Sequence, residues 1–152
     1  MKIPSYSASE LISKTIGEQY GVNKVVKDKT KNQYALINAV NEKLISVGNI
    51  ILSGHFCIFD KDNNVVDLPE FVYEGLHIKA IILLEADIDI NNKNLSQRDN
   101  RLFPIDVIKT LINREKAYAL RVSSKMSIPI HIYKMNFSDS DIKQVLNFIY
   151  ML

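Results

Sequence analysis

Glycine is scarce in this chain of 152 residues, and its placement excludes one common device. The five glycines, Gly17, Gly21, Gly48, Gly54 and Gly75, lie far apart, and none is followed by Lys-Ser or Lys-Thr. A phosphate loop needs G-x-x-x-x-G-K-[S/T] between a strand and a helix, so that backbone N–H groups and a lysine surround the phosphates. No stretch here can form one. Cysteine is scarcer still: Cys57 is the single one, which excludes an internal disulfide framework and most cysteine-based metal sites. Its neighbours Phe56, Ile58 and Phe59 imply a buried, inert thiol. No apolar run approaches about 18 residues, and Met1-Lys2-Ile3-Pro4-Ser5-Tyr6 lacks the apolar core of a leader peptide, so a cytoplasmic location is expected. Neither sign of charge dominates. The formal net charge of +2 is too small to argue by itself for a nucleic-acid or membrane partner. Without internal repeats, low-complexity tracts or a proline-rich linker, residues 1–152 read as a single domain.

What is present is an ordinary globular balance, 47% hydrophobic and 24% charged. Short apolar runs alternate with helical patterns, which points to α/β with a mainly parallel sheet. Ile3–Tyr6 reads as a weak strand, and Ser7 or Ser9 can cap a following helix carrying Leu11, Ile12 and Ile16 and ending near Gly21. Residues 22–32 are polar and rich in lysine, and read as a loop. A second helix over about 32–47 has Leu36, Ile37, Val40, Leu44 and Ile45 at helical spacing, with Gly48 as its stop. An apolar strand opens at Asn49–Leu52 and passes through Ser53-Gly54-His55 into Phe56-Cys57-Ile58-Phe59. Residues 60–64 form a turn, from which Val65-Val66 returns as a hairpin. Pro69 begins a short helix through Tyr73. Residues 79–85 form a strand apolar on both faces, followed by a polar segment over 87–101. A long helix spans about 104–125 with Pro104 at its first turn. Ile128–Tyr133 is another strand, and Ser138 caps a final amphipathic helix with Ile142, Val145, Leu146 and Ile149.

Three groups of residues carry chemistry. Ser53-Gly54-His55 sits where a buried strand reaches its carboxyl end, the place where ligands collect in open α/β sheets; taken alone, a turn glycine and a satisfied histidine are the simpler explanation. All four arginines, Arg98, Arg101, Arg114 and Arg121, fall within 24 residues, whereas the lysines are spread along the chain. Arginine grips phosphate with a rigid bidentate fork, and Arg114 and Arg121 share a helix face with Tyr118 between them. A solvated face with ion pairs to Asp106 or Glu115 is the plainer alternative. Glu85 and Asp87 leave the best strand and could hold Mg²⁺ through water, or cap the next helix. His55, His77 and His131 have no metal-ligand spacing, and His131, inside a strand, reads as structural.

In order and spacing, the segments Ile3–Ile12, Ile51–Cys57, Leu68-Pro69, Ile81–Asp87, Gln97-Arg98-Asp99, Asn113-Arg114-Glu115 and Ile128-Pro129-Ile130 resemble the adenylate-kinase-like branch of P-loop proteins, especially the small ATP-binding proteins of archaeal adenylate-kinase type. The resemblance covers nearly the whole chain. It implies a three-layer P-loop kinase-like sandwich, ATP with Mg²⁺ as cofactors, and a nucleotide or nucleoside as phosphoryl acceptor. It also implies acceptor contacts from Ser7 and Ser9 and phosphate contacts from Ser53, Gly54, His55 and Arg121. A lid-like segment near 91–104 would bring the catalytic arginines Arg98 and Arg101, with Arg114 on the helix after it, since phosphoryl transfer depends on positioning and positive charge.

Two departures bear on activity. The family's opening strand, phosphate loop and first helix, a unit of about 25–30 residues, have no counterpart here. Ser53 also stands where the family usually has an aspartate that holds Mg²⁺ through water, and a neutral hydroxyl is a weaker ligand for a hard dication. In the family the missing strand is central, so its absence implies that residues upstream of Met1 supply it, that the sheet closes across the gap, or that a partner chain or second copy supplies a strand. A kinase-like protein inactive as this chain is thus expected, with a non-enzymatic pseudokinase or interaction module as the alternative. Nucleic-acid binding through Lys24, Lys27, Lys29 and Lys31 is disfavoured by the balanced charge and the lack of interleaved aromatics. No membrane partner is expected.

Overall fold

The structure is a computed structural model, and it describes residues 3–16, 29–60, 62 and 64–152. Two strand–helix–helix–strand arrangements follow one another along it. In the first, β1 (Ser5–Ser7) leads directly into α1 (Ala8–Ile16), α2 spans Lys29–Val47, and β2 (Ile51–Ser53) returns parallel to β1 with Ser5, Tyr6 and Ser7 facing Ile51, Leu52 and Ser53. In the second, β5 (Ile81–Glu85) is followed by α4 (Ile88–Asp99) and α5 (Ile105–Met126), and β6 (Ile130–Lys134) returns parallel to β5. Parallel partners require such crossovers because a tight turn cannot reverse the chain twice. Between the two lie a hairpin, β3 (Cys57–Phe59) with β4 (Val65–Asp67), and the short helix α3 (Glu70–Gly75); α6 (Asp139–Tyr150) ends the chain's elements.

These elements divide into two compact units, Met1–His77 and Ile78–Leu152. The boundary falls beside Leu76-His77-Ile78, a place with no linker composition. In the first unit α1 packs on α2, and Leu36, Ala39 and Val40 form the buried stripe of α2 beside buried Leu11 and Ile12 of α1. Ile45, at the expected apolar spacing, is instead 88% exposed. The helix starts at Lys29, earlier than its apolar pattern indicates, so Lys29 and Lys31 belong to its first turn. Residues 17–28, with Gly21, Lys24 and Lys27, lie outside the described residues. Gly48 ends α2 with φ of 79°, the left-handed conformation that glycine adopts without cost.

The hairpin turns on Asp60, whose Oδ1 accepts the N–H of Asp62 at 2.8 Å and of Asn64 at 2.9 Å, an Asx-type turn. Cys57 is buried, as its neighbours imply, with its thiol 3.4 Å from Asp67 Oδ1. Pro69 serves as the N-cap of α3 rather than lying inside it. That helix docks on α2 through a Tyr34–Phe71 stack with centroids 4.9 Å apart. Phe56 stacks on Tyr73 at 5.0 Å.

The second unit buries Ile108, Tyr118, Ala119 and Val122 of α5, together with Ile81 and Leu83 of β5 and Tyr133 of β6. Leu84 is 53% exposed, so β5 is buried on one face only. The polar segment expected over 87–101 folds as α4, which buries none of its residues. It packs on α5 with residues that are at most half-buried, Ile88 and Leu95 being the apolar ones among them, rather than with a continuous apolar stripe. Asn100 and Ser127 end α4 and α5 in left-handed conformations, φ 49° and 52°, a place glycine usually takes.

Among the described residues the architecture is mixed α/β, with six helices and three two-stranded sheets, two parallel and one antiparallel. The expected single, mainly parallel sheet is thus present as separate short pairs, each ending after its second strand. No helix of the described residues is long and apolar enough to cross a membrane.

Candidate functional site at the carboxyl ends of the parallel strands

The parallel register of β1 and β2 brings together residues far apart in sequence. Ser7 lies opposite Ser53 at the carboxyl ends of the two strands. Ser7 Oγ meets Ser9 Oγ at 2.9 Å at the start of α1. Ser53 Oγ donates to the Tyr6 carbonyl at 3.4 Å, a long bond that leaves the hydroxyl on the exposed side. A Cβ at Gly54 would lie 3.4 Å from Ala8 Cβ. Gly54 does not have left-handed backbone, and 3.4 Å is an ordinary carbon–carbon contact, so neither conformation nor space requires glycine there. Ser7, Ser9, Ser53 and Gly54 therefore form one surface of hydroxyls and backbone at the start of α1. His55 follows on the exposed side of the same strand end. Tyr6, beneath, has Lys43 Nζ over its ring at 5.6 Å, a cation–π contact from α2 to β1.

In the second unit the strand ends carry charge. Glu85 and Lys134 are register partners at the ends of β5 and β6. Lys116 Nζ lies 2.9 Å from Glu85 Oε1, and Lys134 Nζ lies 2.7 Å from Asp87 Oδ1. The Asp87 hydrogen bond chiefly raises the Lys134 pKa, with Asp87 and Glu85 charges adding to the effect. Asp87 occupies the N-cap of α4 without a side-chain capping bond. Each carboxylate suggested by the sequence as a water-mediated Mg²⁺ ligand thus already holds an ammonium group, which a metal ion would have to displace. Among the described residues no cluster of three or more His, Cys, Asp and Glu is arranged to hold a metal ion.

Sequence reasoning missed Lys116 and Lys134 because lysine spacing carries no register information. The only available signal was two carboxylates leaving a buried strand, which call for counter-charges from the next strand or helix.

Three of the arginines each meet a different neighbour. Arg98 on α4 grips its neighbour Asp99 by two bonds, Nε to Oδ1 at 2.7 Å and a terminal nitrogen to Oδ2 at 2.9 Å. This hydrogen bond, with the Asp99 charge, raises the Arg98 pKa against the opposing effect of burial. Arg101 lies over the Phe103 ring at 4.1 Å, and Arg121 over the Tyr118 ring at 4.2 Å. Arg114 and Arg121 are both exposed on α5. Asp106, offered as an arginine partner, faces Lys109 at 3.9 Å. The lid-like segment near 91–104 is for the most part α4.

His131 is half-buried, stacked on Phe148 at 4.7 Å and facing Tyr133 at 6.2 Å, consistent with a structural role. His77 is exposed, with φ of 51°, just after α3. Gln33 of α2 carries a buried side-chain oxygen, Oε1, with no hydrogen-bond partner among the described residues. Compared with known families and characterised proteins, the chain matches no family model and no curated sequence.

Proposed function

We propose that the chain is a P-loop kinase-like nucleotide- or nucleoside-binding protein, that residues 1–152 hold no phosphate loop, and that these residues by themselves do not turn over ATP. The supporting observation is the β1–β2 register, which gathers Ser7, Ser9, Ser53 and Gly54 at adjoining strand ends and at the N-terminus of α1. Helix N-termini and hydroxyls offer the donors that a phosphate or sugar hydroxyl accepts. In this reading Ser7 and Ser9 meet the acceptor, and Ser53, Gly54 and His55 face phosphate oxygens. The second unit, taken by itself, offers Arg98, Arg101 and Arg114 for phosphoryl oxygens and Arg121 for a phosphate, and the fold class this reading expects is a three-layer P-loop kinase-like sandwich. ATP with Mg²⁺ is the cofactor pair this reading implies. Ser53 supplies no carboxylate for the metal, so nucleotide affinity would depend weakly on Mg²⁺.

A second reading has a specific observation behind it. Among the described residues each parallel sheet has two strands, and such short sheets leave hydrogen-bonding edges that another chain can pair with. Under it the protein is a non-enzymatic interaction module, and a partner chain or second copy supplies a strand.

Thermal-shift titration with ATP, AMP and adenosine, with and without Mg²⁺, separates the readings. The first expects stabilisation by a nucleotide or nucleoside, growing with ligand concentration as about RT ln(1 + [L]/Kd), and loss of that shift in Ser7→Ala/Ser53→Ala. No shift with any of the three ligands would overturn it. Release of ADP above background by the purified chain would overturn the claim of inactivity.

A further inference from the structure

We propose that α6 is a releasable helix, latched to the second unit by the Asp141 carboxylate and able to detach while β5, β6 and α5 stay folded. The argument begins with what holds this helix. Its sequence places Ile142, Val145, Leu146 and Ile149 at the spacing of an apolar face, yet Ile142 is 64% and Leu146 38% exposed. The one buried residue in the helix is polar: Asp141, at 3% exposure. The apolar residues Val145, Phe148 and Ile149 of the helix are only half-buried, so burial of apolar area, which fastens most amphipathic helices, is incomplete here.

The carboxylate does that work through several donors. Oδ1 accepts the Tyr133 hydroxyl of β6 at 2.8 Å. Oδ2 accepts the N–H of Asn136 at 3.0 Å and of Ser138 at 3.2 Å, the latter as half of the capping box that starts the helix. The turn between β6 and α6 includes Phe137 at φ of 56°, a conformation costly for an aromatic residue and held in place by its surroundings. Further along, the Phe148 ring stacks on His131, and Val145 and Ile149 are half-buried.

Charge-assisted bonds to one buried carboxylate are strong while all are made. Loss of the charge leaves the Tyr133 hydroxyl and two N–H groups without adequate acceptors in the closed state. In the open state water satisfies all of them, so the balance moves toward opening. The strands are spared because their register bonds and the α5 core do not depend on Asp141. Opening of this kind is a local event with its own free energy, distinct from global unfolding.

Amide hydrogen exchange of the whole chain, followed by mass spectrometry at neutral pH, tests this. Asp141→Asn keeps the size of the side chain but has one acceptor oxygen and adds two donors. It is expected to speed exchange of peptides within 139–150 by about tenfold or more, leaving peptides from 81–85 and 105–126 unchanged. Tyr133→Phe keeps the carboxylate and removes one donor, and is expected to give the same pattern at smaller amplitude. Unchanged exchange of α6 in Asp141→Asn would overturn the latch. So would equal acceleration of α6, β5 and α5, which would make Asp141 a support of the whole unit. If Asp141→Asn does not fold, Tyr133→Phe decides by the same criterion: selective acceleration of 139–150 supports the latch, and uniform or no acceleration overturns it.

Discussion

Replacing Gly75 with alanine sets two effects of known size against each other. Gly75 is the last residue of α3, and alanine there would gain helix propensity of up to about 1 kcal/mol. Its new methyl, however, would stand 2.8 Å from Ile37 Cδ1 and 3.1 Å from both Cγ1 and Cγ2 of the same side chain. Carbon atoms rest at about 3.5–4.0 Å. Cδ1 can swing aside, but Cγ1 and Cγ2 are fixed to Cβ and move only by rotating χ1, which in a helical isoleucine strongly prefers one well. Overpacking of this kind costs about 1–3 kcal/mol, and the propensity gain shrinks at a helix end. The net expectation is a loss of about 1–2 kcal/mol. At about 2–4 °C per kcal/mol for a chain of about 150 residues, the melting temperature read by circular dichroism should fall by a few degrees. The double variant Gly75→Ala/Ile37→Ala removes all three crowded atoms, so its loss should be about 1 kcal/mol smaller than the sum of the single losses. A Gly75→Ala protein at least as stable as the parent, or strict additivity in the cycle, would refute the steric argument.

Ile108 is 0% exposed, and Ile108→Ala should cost about 2–5 kcal/mol as lost burial plus a cavity, read as a lower urea midpoint; a midpoint within error of the parent would show that α5 collapses to fill the space. For the acid limb, burial pushes the Asp141 pKa up, but the Tyr133 hydroxyl and the N–H groups of Ser138, Asn136 and Phe137 outweigh it and hold it below the ordinary value. A lowered folded pKa means that the ionised form stabilises the fold above about pH 4 and that this share disappears as pH falls through the lowered value. The phenol of Tyr133 is raised by the same bond to Asp141, then by burial and the Asp141 charge, so it stays neutral across that range. His131, the other titratable group of β6 beside α6, stacks on Phe148. Asp141→Asn should therefore flatten the loss of thermal stability between pH 5 and pH 2; an unaltered acid limb would place the titrating group elsewhere.

The sequence made the local grammar of this fold legible. Ser138 as the start of α6, Gly48 as the end of α2 and the 60–64 turn between β3 and β4 all follow from a few adjacent residues whose chemistry is self-contained. Burial was harder. Leu84, Ile45, Ile142 and Leu146 all have apolar spacing and all are exposed, because periodicity reports which side of an element is apolar and not whether anything covers it. The α4 segment was misread for the opposite reason: its half-buried residues, Ile88, Asn91, Asn92, Leu95, Ser96 and Asp99, keep helical spacing, but only two are apolar, so hydrophobic periodicity hardly registers them. At the strand ends, Ser53 and Gly54 were legible as candidates through their place after an apolar run, whereas Ser7 and Ser9 read locally as helix caps and became candidates only through the family resemblance. The pairing of Ser7 with Ser53, and of Lys116 and Lys134 with Glu85 and Asp87, depends on register, which no local pattern encodes.

The wide separation of strand partners has a kinetic consequence. Ser5 must find Ile51, and Ile81 must find Ile130, before either parallel pair gains its first hydrogen bond. The loop-closure entropy falls due before any ladder bond offsets it. The intervening helices shorten that search, because α1 against α2 and α4 against α5 form from nearer contacts and bring the strand ends within reach. Refolding should therefore show helical signal rising before the strand amides are protected. The slow step in each half of the molecule is the meeting of two short strands rather than the winding of its long helices.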